Sequence, residues 1–213
     1  MTQVKEKISK RMSAEMISFK QYLEEGAGKT AVITYGRFNP PTVGHAKLVD
    51  HVLKQKGDHH IFVSHSQDAK KNPLSADEKV GYLKKMYPKH QDKFHAATKT
   101  EPTIFHAAAK MHKAGYEHLH VVVGADRVAD FHEKLNKYNG HFDEKGHGFH
   151  FKSIKVTSAG DRDPDAEGTE GMSASKMRAH ALSGDKAAFK SGLHPALHAH
   201  ADEIMNKIRD RIK

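Results

Sequence analysis

The sequence predicts an α/β fold: a doubly wound, mostly parallel, Rossmann-like sheet with helices on both faces. Short apolar runs alternate with helical segments between residues 29 and 182, which is the order expected of such a sheet. The run 118–123 is apolar along most of its length, as is typical of a parallel strand buried on both faces. A turn rich in glycine and proline follows the first apolar run and leads into a helix.

The individual elements follow from their own local patterns. Ser75 is a good N-cap and Glu78 its capping-box partner, so a helix starts there, and Gly115 ends the helix after it. The predicted strands cover residues 31–35, 60–65, 94–97, 118–123 and 149–158. The predicted helices cover residues 46–56, 75–86, 103–114, 129–138 and 176–182.

Three segments make up the predicted domain organisation. Residues 1–28 form an N-terminal helical leader and joint, because apolar residues recur there at spacings of three and four before a glycine-rich break. Residues 29–182 form the α/β domain, and residues 183–213 a C-terminal helical extension. That extension carries an apolar stripe from Leu197 to Ile212, which would suit either docking on the core or formation of a homo-oligomer.

Composition excludes several classes of function. The chain of 213 residues has no cysteine, which rules out disulfides, thiolate metal sites and cysteine nucleophiles. Its mean hydropathy is -0.72, and no apolar run is long enough to span a membrane. A net charge of +9 suits a triphosphate ligand, whereas the scatter of the lysines argues against nucleic acid as a partner. The 19 histidines are equally scattered, and His194 with His198 is better explained as surface than as a metal site.

Residues 34–47 carry the chemistry of a phosphate site. Gly36 and Gly44 let the backbone turn tightly and approach a ligand closely. A helix that starts near Gly44 would direct its free N–H groups at phosphate, with His45 placed to donate to a phosphate oxygen. This stretch resembles the G-x-F-x-P-x-[HT]-x-G-H signature of the HIGH-motif nucleotidylyltransferases. The matching positions are Gly36, Phe38, Pro40, Thr42, Gly44 and His45.

A second phosphate-binding pattern lies at residues 172–178. Ser173 and Ser175 are good N-cap residues, and Arg178 can share a helix face with Ser175 and clamp a phosphate. The run from Met172 to Arg178 resembles the second signature of the same family, [IVM]-S-[SA]-[ST]-x-x-R. Two such helix starts in one chain indicate the family far more strongly than either does alone.

Three further segments are candidates for the site. Gly124 and Asp126 follow a strand, where ligands bind in open α/β sheets. With Phe131 they resemble the G-x-D-x-x-x-x-F element of nicotinamide-mononucleotide and related adenylyltransferases, in which the aspartate helps to hold the sugar or the acceptor. The alternative is that Asp126 is a plain helix N-cap. Lys70 and Lys71 lie in the loop after the second strand, as either phosphate ligands or solvated side chains. The acidic loop 158–171 would act as a lid or bring a carboxylate to Mg²⁺.

The resemblance implies nucleotidylyl transfer, in which the phosphate of a small acceptor attacks the α-phosphorus of a nucleoside triphosphate bound with Mg²⁺. It gives catalytic roles to His45, Thr42, Arg178 and Lys71. It implies nucleotide contacts from Gly36, Arg37, Phe38, Gly44, His45, Gly124, Asp126, Met172, Ser173, Ser175 and Arg178. It leaves open whether the nucleotide is ATP or CTP, because adenylyl and cytidylyl transfer use the same two signatures.

The leader supports a hypothesis of a different class. Residues 17–25 resemble the capsid-targeting peptides of internal proteins in large tailed phages, which a prohead protease cleaves after Leu-x-Glu. The corresponding site here follows Glu25. On this reading the protein is phage-encoded and packaged in the virion, with its nucleotide site vestigial or used after delivery to the host cytoplasm. The alternative is an ordinary amphipathic helix that docks on the core.

Overall fold

The computed structural model describes residues 28–160 and 172–212, and its centre is a sheet of five parallel strands in the order β3-β2-β1-β4-β5. The strands are β1 Thr30–Gly36, β2 Asp58–Val63, β3 Phe94–Ala96, β4 His118–Val123 and β5 Ser153–Ser158. The chain moves outward from β1 to β3 and then crosses back to β4 on the other side of β1, as in the doubly wound folds. The predicted fold class is confirmed.

Helices cover both faces of this sheet. They are α1 Val43–Leu53, α2 Ala76–Met86, α3 Ile104–Lys113, α4 Val128–Tyr138, α5 Ala174–Ser183, α6 Lys186–Ser191 and α7 Ala201–Arg211. Short 3-10 segments lie at Pro88–Lys93, Ala125–Arg127 and Pro195–His200. No helix in the described ranges is long and apolar enough to cross a membrane.

The alternating side chains of the strands divide the core into two clusters. Val32 faces a cluster formed with α1, α2 and α5–α7, whereas Ala31 and Ile33 face one formed with α3 and α4. All three side chains are fully buried, since β1 lies in the middle of the sheet. Burial on both faces explains why the central strands are apolar along most of their length.

Helix starts agree closely with the predicted caps. Ser75 and Glu78 form the expected capping box, and Ser173 accepts a hydrogen bond from the Lys176 N–H at the start of α5. Thr42 caps α1, which therefore begins at Val43, three residues before the predicted start at 46. The prediction of 46 was wrong because it counted apolar periodicity and not the cap.

Two predicted strands differ from the observed strands by two residues or more at one end or both. β2 begins and ends two residues earlier than predicted, at Asp58 and Val63. β5 begins at Ser153 and not at 149, although Phe149 and Phe151 are buried as the alternation required. The backbone of these two residues bonds to the turn after α4 and not to β4: Gly140 donates to the Phe149 carbonyl, and the Phe151 N–H donates to the Asn139 side chain.

The C-terminal extension packs into the core of its own domain. Leu197, Ile204 and Ile208 are fully buried in the cluster that also contains α5 and α2. The predicted apolar stripe therefore docks on the core, while the predicted homo-oligomer stays a prediction. The leader, its cleavage site after Glu25 and residues 161–171 of the acidic loop lie outside the described residues.

Candidate active site

The predicted site segments meet at one edge of the sheet. The first motif follows β1, the loop 64–74 follows β2, and Gly124 follows β4. Because the strands are parallel, these are all carboxyl ends, and the chain connections leave β1 and β4 in opposite directions. This topological switch point is where ligands bind in open α/β sheets.

Thr42 and His45 are joined by hydrogen bonds at the start of α1. The Thr42 hydroxyl accepts from the His45 N–H at 3.3 Å, and the Thr42 N–H donates to His45 Nδ1 at 3.1 Å. The same hydroxyl lies 3.0 Å from Nδ1. Since a backbone N–H donates to Nδ1, this nitrogen is an acceptor, and the neutral ring carries its proton on Nε2. The cap thus orients the imidazole and fixes its tautomer.

The ring of Phe38 packs against the imidazole of His45. Its ring centroid lies 4.9 Å from that of His45, and its side chain is 0% exposed. A β-carbon on Gly36 would lie 2.7 Å from Phe38 Cε2, so glycine is required there for the ring to fit. Phe38, which the resemblance offers as a nucleotide contact, is therefore buried, and its contact within the site is with His45.

The two motifs place two helix starts side by side. A β-carbon on Gly44 would lie 3.9 Å from the Met172 carbonyl oxygen, so α1 and the chain entering α5 are neighbours. The N–H groups of Gly44, Ala174 and Ser175 have no acceptor within residues 28–160 and 172–212. The Met172 side chain is buried against Gly192, which leaves only its backbone at the site. Adjacent helix N-termini whose N–H groups have no acceptor favour the binding of an anion.

Arg178 joins the second motif to the first. Its Nη1 donates to the Asn39 carbonyl at 2.8 Å, and its Nη2 donates to Ser175 Oγ at 3.0 Å. Burial lowers the pKa of Arg178, the nearby charge of Arg37 lowers it further, and Asp68 opposes both. The positive charge of Arg37 thus disfavours the charged form of Arg178, and an anion bound beside both groups would oppose that effect.

Asn39 is a residue of the site that the sequence did not single out. Its Nδ2 donates to the Leu74 carbonyl at 2.9 Å, and its Oδ1 accepts from the Leu74 N–H at 3.0 Å. With Arg178 on its own carbonyl, Asn39 connects both motifs and the loop 64–74. The Asn39 side chain is buried, at 1% exposure, and both of its polar atoms are bonded to Leu74.

The loop 64–74 is tightly organised around Asp68. One carboxylate oxygen accepts from the backbone N–H groups of Lys71 at 2.7 Å and Lys70 at 2.9 Å, and the other accepts from the Asn72 side chain. These hydrogen bonds hold the pKa of Asp68 well below its usual range, and the bond from the Lys71 N–H makes the largest contribution. The loop thus presents the exposed side chains of Lys70 and Lys71 from a fixed turn.

Lys79 anchors the same loop from inside the protein. It lies on the buried face of α2, and its Nζ donates to the carbonyls of Ser64 at 2.7 Å and Ser66 at 3.2 Å. Lysine is ordinarily a surface residue, so the sequence did not single out Lys79. Its spacing from the buried residues Tyr82 and Leu83 was the available signal.

Gly124 and Asp126 lie at the carboxyl end of β4. A β-carbon on Gly124 would lie 2.8 Å from Asp126 Oδ1, so the Asp126 carboxylate folds back over Gly124. Asp126 makes no N-cap hydrogen bond, which excludes the capping alternative, and its side chain is 79% exposed, with Arg127 Nε at 3.7 Å. It is accessible to a ligand at the switch point.

Two other features do not belong to this site. A cavity of about 340 Å³ is lined by Thr30, His118, Leu119, His120, Ser153 and Lys155, at the amino ends of the strands and so at the opposite edge of the sheet. The part of the chain that the structure describes contains no group of three or more His, Asp or Glu side chains able to hold a metal ion.

Comparisons with known proteins agree with this geometry. Residues 33–180 match the family model described as cytidylyltransferase-like, and this range contains both motifs. The nicotinic acid mononucleotide adenylyltransferase of Plasmodium falciparum, solved with NaAD, is 16% identical over 86% of this chain and 98% of its own, with a TM-score of 0.53. A bifunctional NMN adenylyltransferase/ADP ribose pyrophosphatase from Francisella tularensis, solved with AMP and a manganese ion, is 12% identical over 87% of this chain and 52% of its own, with a TM-score of 0.55.

These two structures support the fold. No protein of curated function matches the chain. The family model spans more than half of the sequence and covers both motifs and the helix starts that they form. The chain therefore belongs to the cytidylyltransferase-like family and is a nucleotidyltransferase.

Proposed function

We propose that this protein transfers a nucleotidyl group from CTP or ATP to the phosphate of a small acceptor, with release of pyrophosphate. The observation that carries the proposal is the hydrogen bond from Arg178 to the Asn39 carbonyl. It connects the two signature motifs, and with them the starts of α1 and α5. One triphosphate can then interact with both helix N-termini and the guanidinium.

The reaction needs no protein nucleophile. An oxygen of the acceptor phosphate forms a bond to the α-phosphorus, and the bond from that phosphorus to the bridging oxygen of pyrophosphate breaks. The protein contributes positioning and neutralises the charge that develops on the α-phosphoryl oxygens. His45 donates its Nε2 proton as a hydrogen bond to one of these oxygens, while Thr42 holds the ring from Nδ1.

The remaining groups bind the two ends of the substrates. Arg178, Ser173 and Ser175, with the open amides of α5, hold the β- and γ-phosphates. Lys71 and Arg37 contact the triphosphate or the acceptor phosphate from the loops after β2 and β1. Gly124 and Asp126 contact the sugar or the acceptor at the end of β4, where the exposed carboxylate can accept hydrogen bonds from hydroxyl groups.

A divalent metal fits this site as a companion of the nucleotide. The described residues do not supply a metal-binding cluster of their own, so Mg²⁺ would be held mainly by triphosphate oxygens and water, as it commonly is. Bound there, it neutralises charge on the phosphates. The solved relative from Francisella tularensis was obtained with a manganese ion, which is consistent with a divalent metal.

The base and the acceptor are the finer part of the proposal. The family description favours CTP, whereas the structural neighbours are adenylyltransferases that act on nicotinamide or nicotinic acid mononucleotide. The G-x-D element at Gly124 supports the second group. We therefore name both nucleotides, with pyridine mononucleotides, phosphopantetheine and small phosphorylated alcohols as the acceptors to test.

The test is pyrophosphate release by the full chain with Mg²⁺, using ATP or CTP with each acceptor in turn. We expect release with one nucleotide and one acceptor class, dependent on both substrates. The His45→Ala variant is the control for contaminating activity. A folded wild-type protein that releases no pyrophosphate with any combination would contradict the proposal.

The packaged-protein alternative rests on the leader alone. Cleavage after Glu25 would leave the whole of the described domain, which begins at Gly28. Mass spectrometry of virions is its test: a mature chain that starts at Gly26 supports it, and absence of the protein from particles rules it out.

A further inference from the structure

Lys79 is a lysine buried within the domain. Its side chain is 0% exposed, and it lies on α2 beside Tyr82 and Leu83 in the apolar cluster between helix and sheet. Its Nζ donates to the carbonyls of Ser64 and Ser66, the first residues of the loop after β2. Lys79 has no role in the proposed chemistry of transfer.

Burial of an ammonium group opposes folding. It lowers the pKa of Lys79 from 10.5 to about 8, because the charged form loses its water. An apolar side chain such as methionine would fill the same space without that penalty. What lysine adds is a donor for two loop carbonyls, so its contribution is made to the loop 64–74.

This loop is held at both ends. Lys79 fixes its start at Ser64 and Ser66, and Asn39 fixes its end at Leu74 through two hydrogen bonds. Between these anchors, Asp68 organises the turn that carries Lys70 and Lys71. Asn39 also accepts a hydrogen bond from Arg178 on its carbonyl, so the end of this loop lies beside the second motif.

We propose that Lys79 is a positioning residue for nucleotidylyl transfer: by holding the carbonyls of Ser64 and Ser66 it fixes the loop that presents Lys71 to the substrate phosphates. It does not touch the substrates itself. The inference rests on the proposed function, since it assigns to Lys79 an effect on the reaction that passes through Lys71.

The first test is independent of activity. Trypsin cleaves after Lys70 and Lys71 only when the loop can leave its anchored turn, so the cleavage rate reports on anchoring. We expect Lys79→Met to raise this rate at least about tenfold, since opening of a local segment governs proteolysis. Lys79→Arg, which keeps donors for the carbonyls, should remain close to wild type.

A matched control separates anchoring from general loss of stability. Asn139 makes two side-chain bonds to the backbone of Phe151, far from this loop in the fold. Asn139→Ala destabilises the domain without touching the loop, so cleavage after Lys70 and Lys71 should not rise. An equal rise in Asn139→Ala, or none in Lys79→Met, would overturn the proposal.

The second test is a double-mutant cycle on the rate of transfer. Lys79→Met should lower kcat/KM by about tenfold to 100-fold, the range expected of a small displacement of a binding group, and Lys79→Arg should recover most of it. If Lys79 acts through Lys71, the double variant with Lys71→Met is no worse than Lys71→Met alone. The proposal is overturned if the losses of kcat/KM in the two single variants multiply in the double variant, or if Lys79→Met has the kinetics of the wild type.

The two proposals fail in different ways. A wild-type protein that transfers no nucleotidyl group overturns the proposed function and this inference together. Transfer by the wild type that Lys79→Met leaves unchanged overturns the inference alone.

Discussion

Replacing Asn39 by alanine is the perturbation whose cost follows most directly from the structure. The variant removes hydrogen bonds of 2.9 and 3.0 Å to Leu74, a residue with 0% exposure. The Leu74 N–H and carbonyl are then both left without partners, at about 1–3 kcal/mol each. A total near 3 kcal/mol corresponds to a fall in Tm of about 6–12 °C for a domain of this size.

The same variant should also weaken nucleotide binding. Asn39 holds the loop 64–74 with its side chain and Arg178 with its carbonyl, so a shift of Asn39 moves groups on both sides of the triphosphate. We expect the Kd for the preferred nucleotide with Mg²⁺ to rise at least about tenfold, which corresponds to about 1.4 kcal/mol. Urea unfolding measures the stability, and calorimetric titration well below the Tm measures the affinity.

The chain contains a matched control for this experiment. Asn139 makes the same pair of bonds to the Phe151 backbone, at 3.0 and 2.8 Å, away from both motifs. Asn139→Ala should lose stability but keep wild-type affinity for the nucleotide. If both variants lose affinity equally, or if Asn39→Ala loses stability alone, the reasoning that connects Asn39 to the site is wrong.

Three further predictions concern the motifs and the acid stability. His45→Ala should lower turnover by about 10²–10³ in a pyrophosphate-release assay, as loss of one oxyanion donor does, and an unchanged rate in folded protein would remove His45 from the mechanism. Thr42→Val deletes the cap and should cost about 1 kcal/mol, or about 2–4 °C in thermal unfolding, whereas Thr42→Ser should keep the cap and more of the turnover. Burial of the Glu78 carboxyl favours its protonation, but hydrogen bonds from Arg211, Ser75 and Lys207 outweigh it and lower the pKa from 4.5 to about 2. Glu78 therefore contributes stability above pH 4.5, and this contribution is lost as the pH falls toward 2. Urea unfolding over that range should show a loss of about 3 kcal/mol in the wild type that the Glu78→Gln variant lacks. The same loss of stability with pH in both proteins would contradict this prediction.

The fold could be predicted because its signals are local. Apolar runs identified the strands, and cap residues such as Ser75 and Ser173 identified helix starts. The predicted start of β5 was wrong because the backbone partners of the residues before it lie elsewhere along the chain. Phe149 and Phe151 alternate like strand residues, but their backbone groups bond to Gly140 and Asn139, and no periodicity reports that.

The site could be predicted in part for the same reason. Both signatures are continuous in sequence, so their positions were readable, although the cap formed by Thr42 was not predicted. Asn39 and Lys79 act across 35 and 15 residues of sequence, and only the folded chain brings them to the loop 64–74. The identity of the base could not be predicted, because the proposed role of both signatures is to bind phosphates, and ATP and CTP have the same triphosphate.

The central claim is that the two motifs form one triphosphate site, and thermal unfolding with Mg²⁺ and ATP, CTP, GTP or UTP tests it most directly. A nucleotide at about a hundred times its Kd stabilises the native state by about 2.7 kcal/mol, or about 5–10 °C here. We predict such a rise with ATP or CTP for the wild type, and little or none for Arg178→Met. No rise of the wild-type Tm with any of the four at millimolar concentration would contradict the claim.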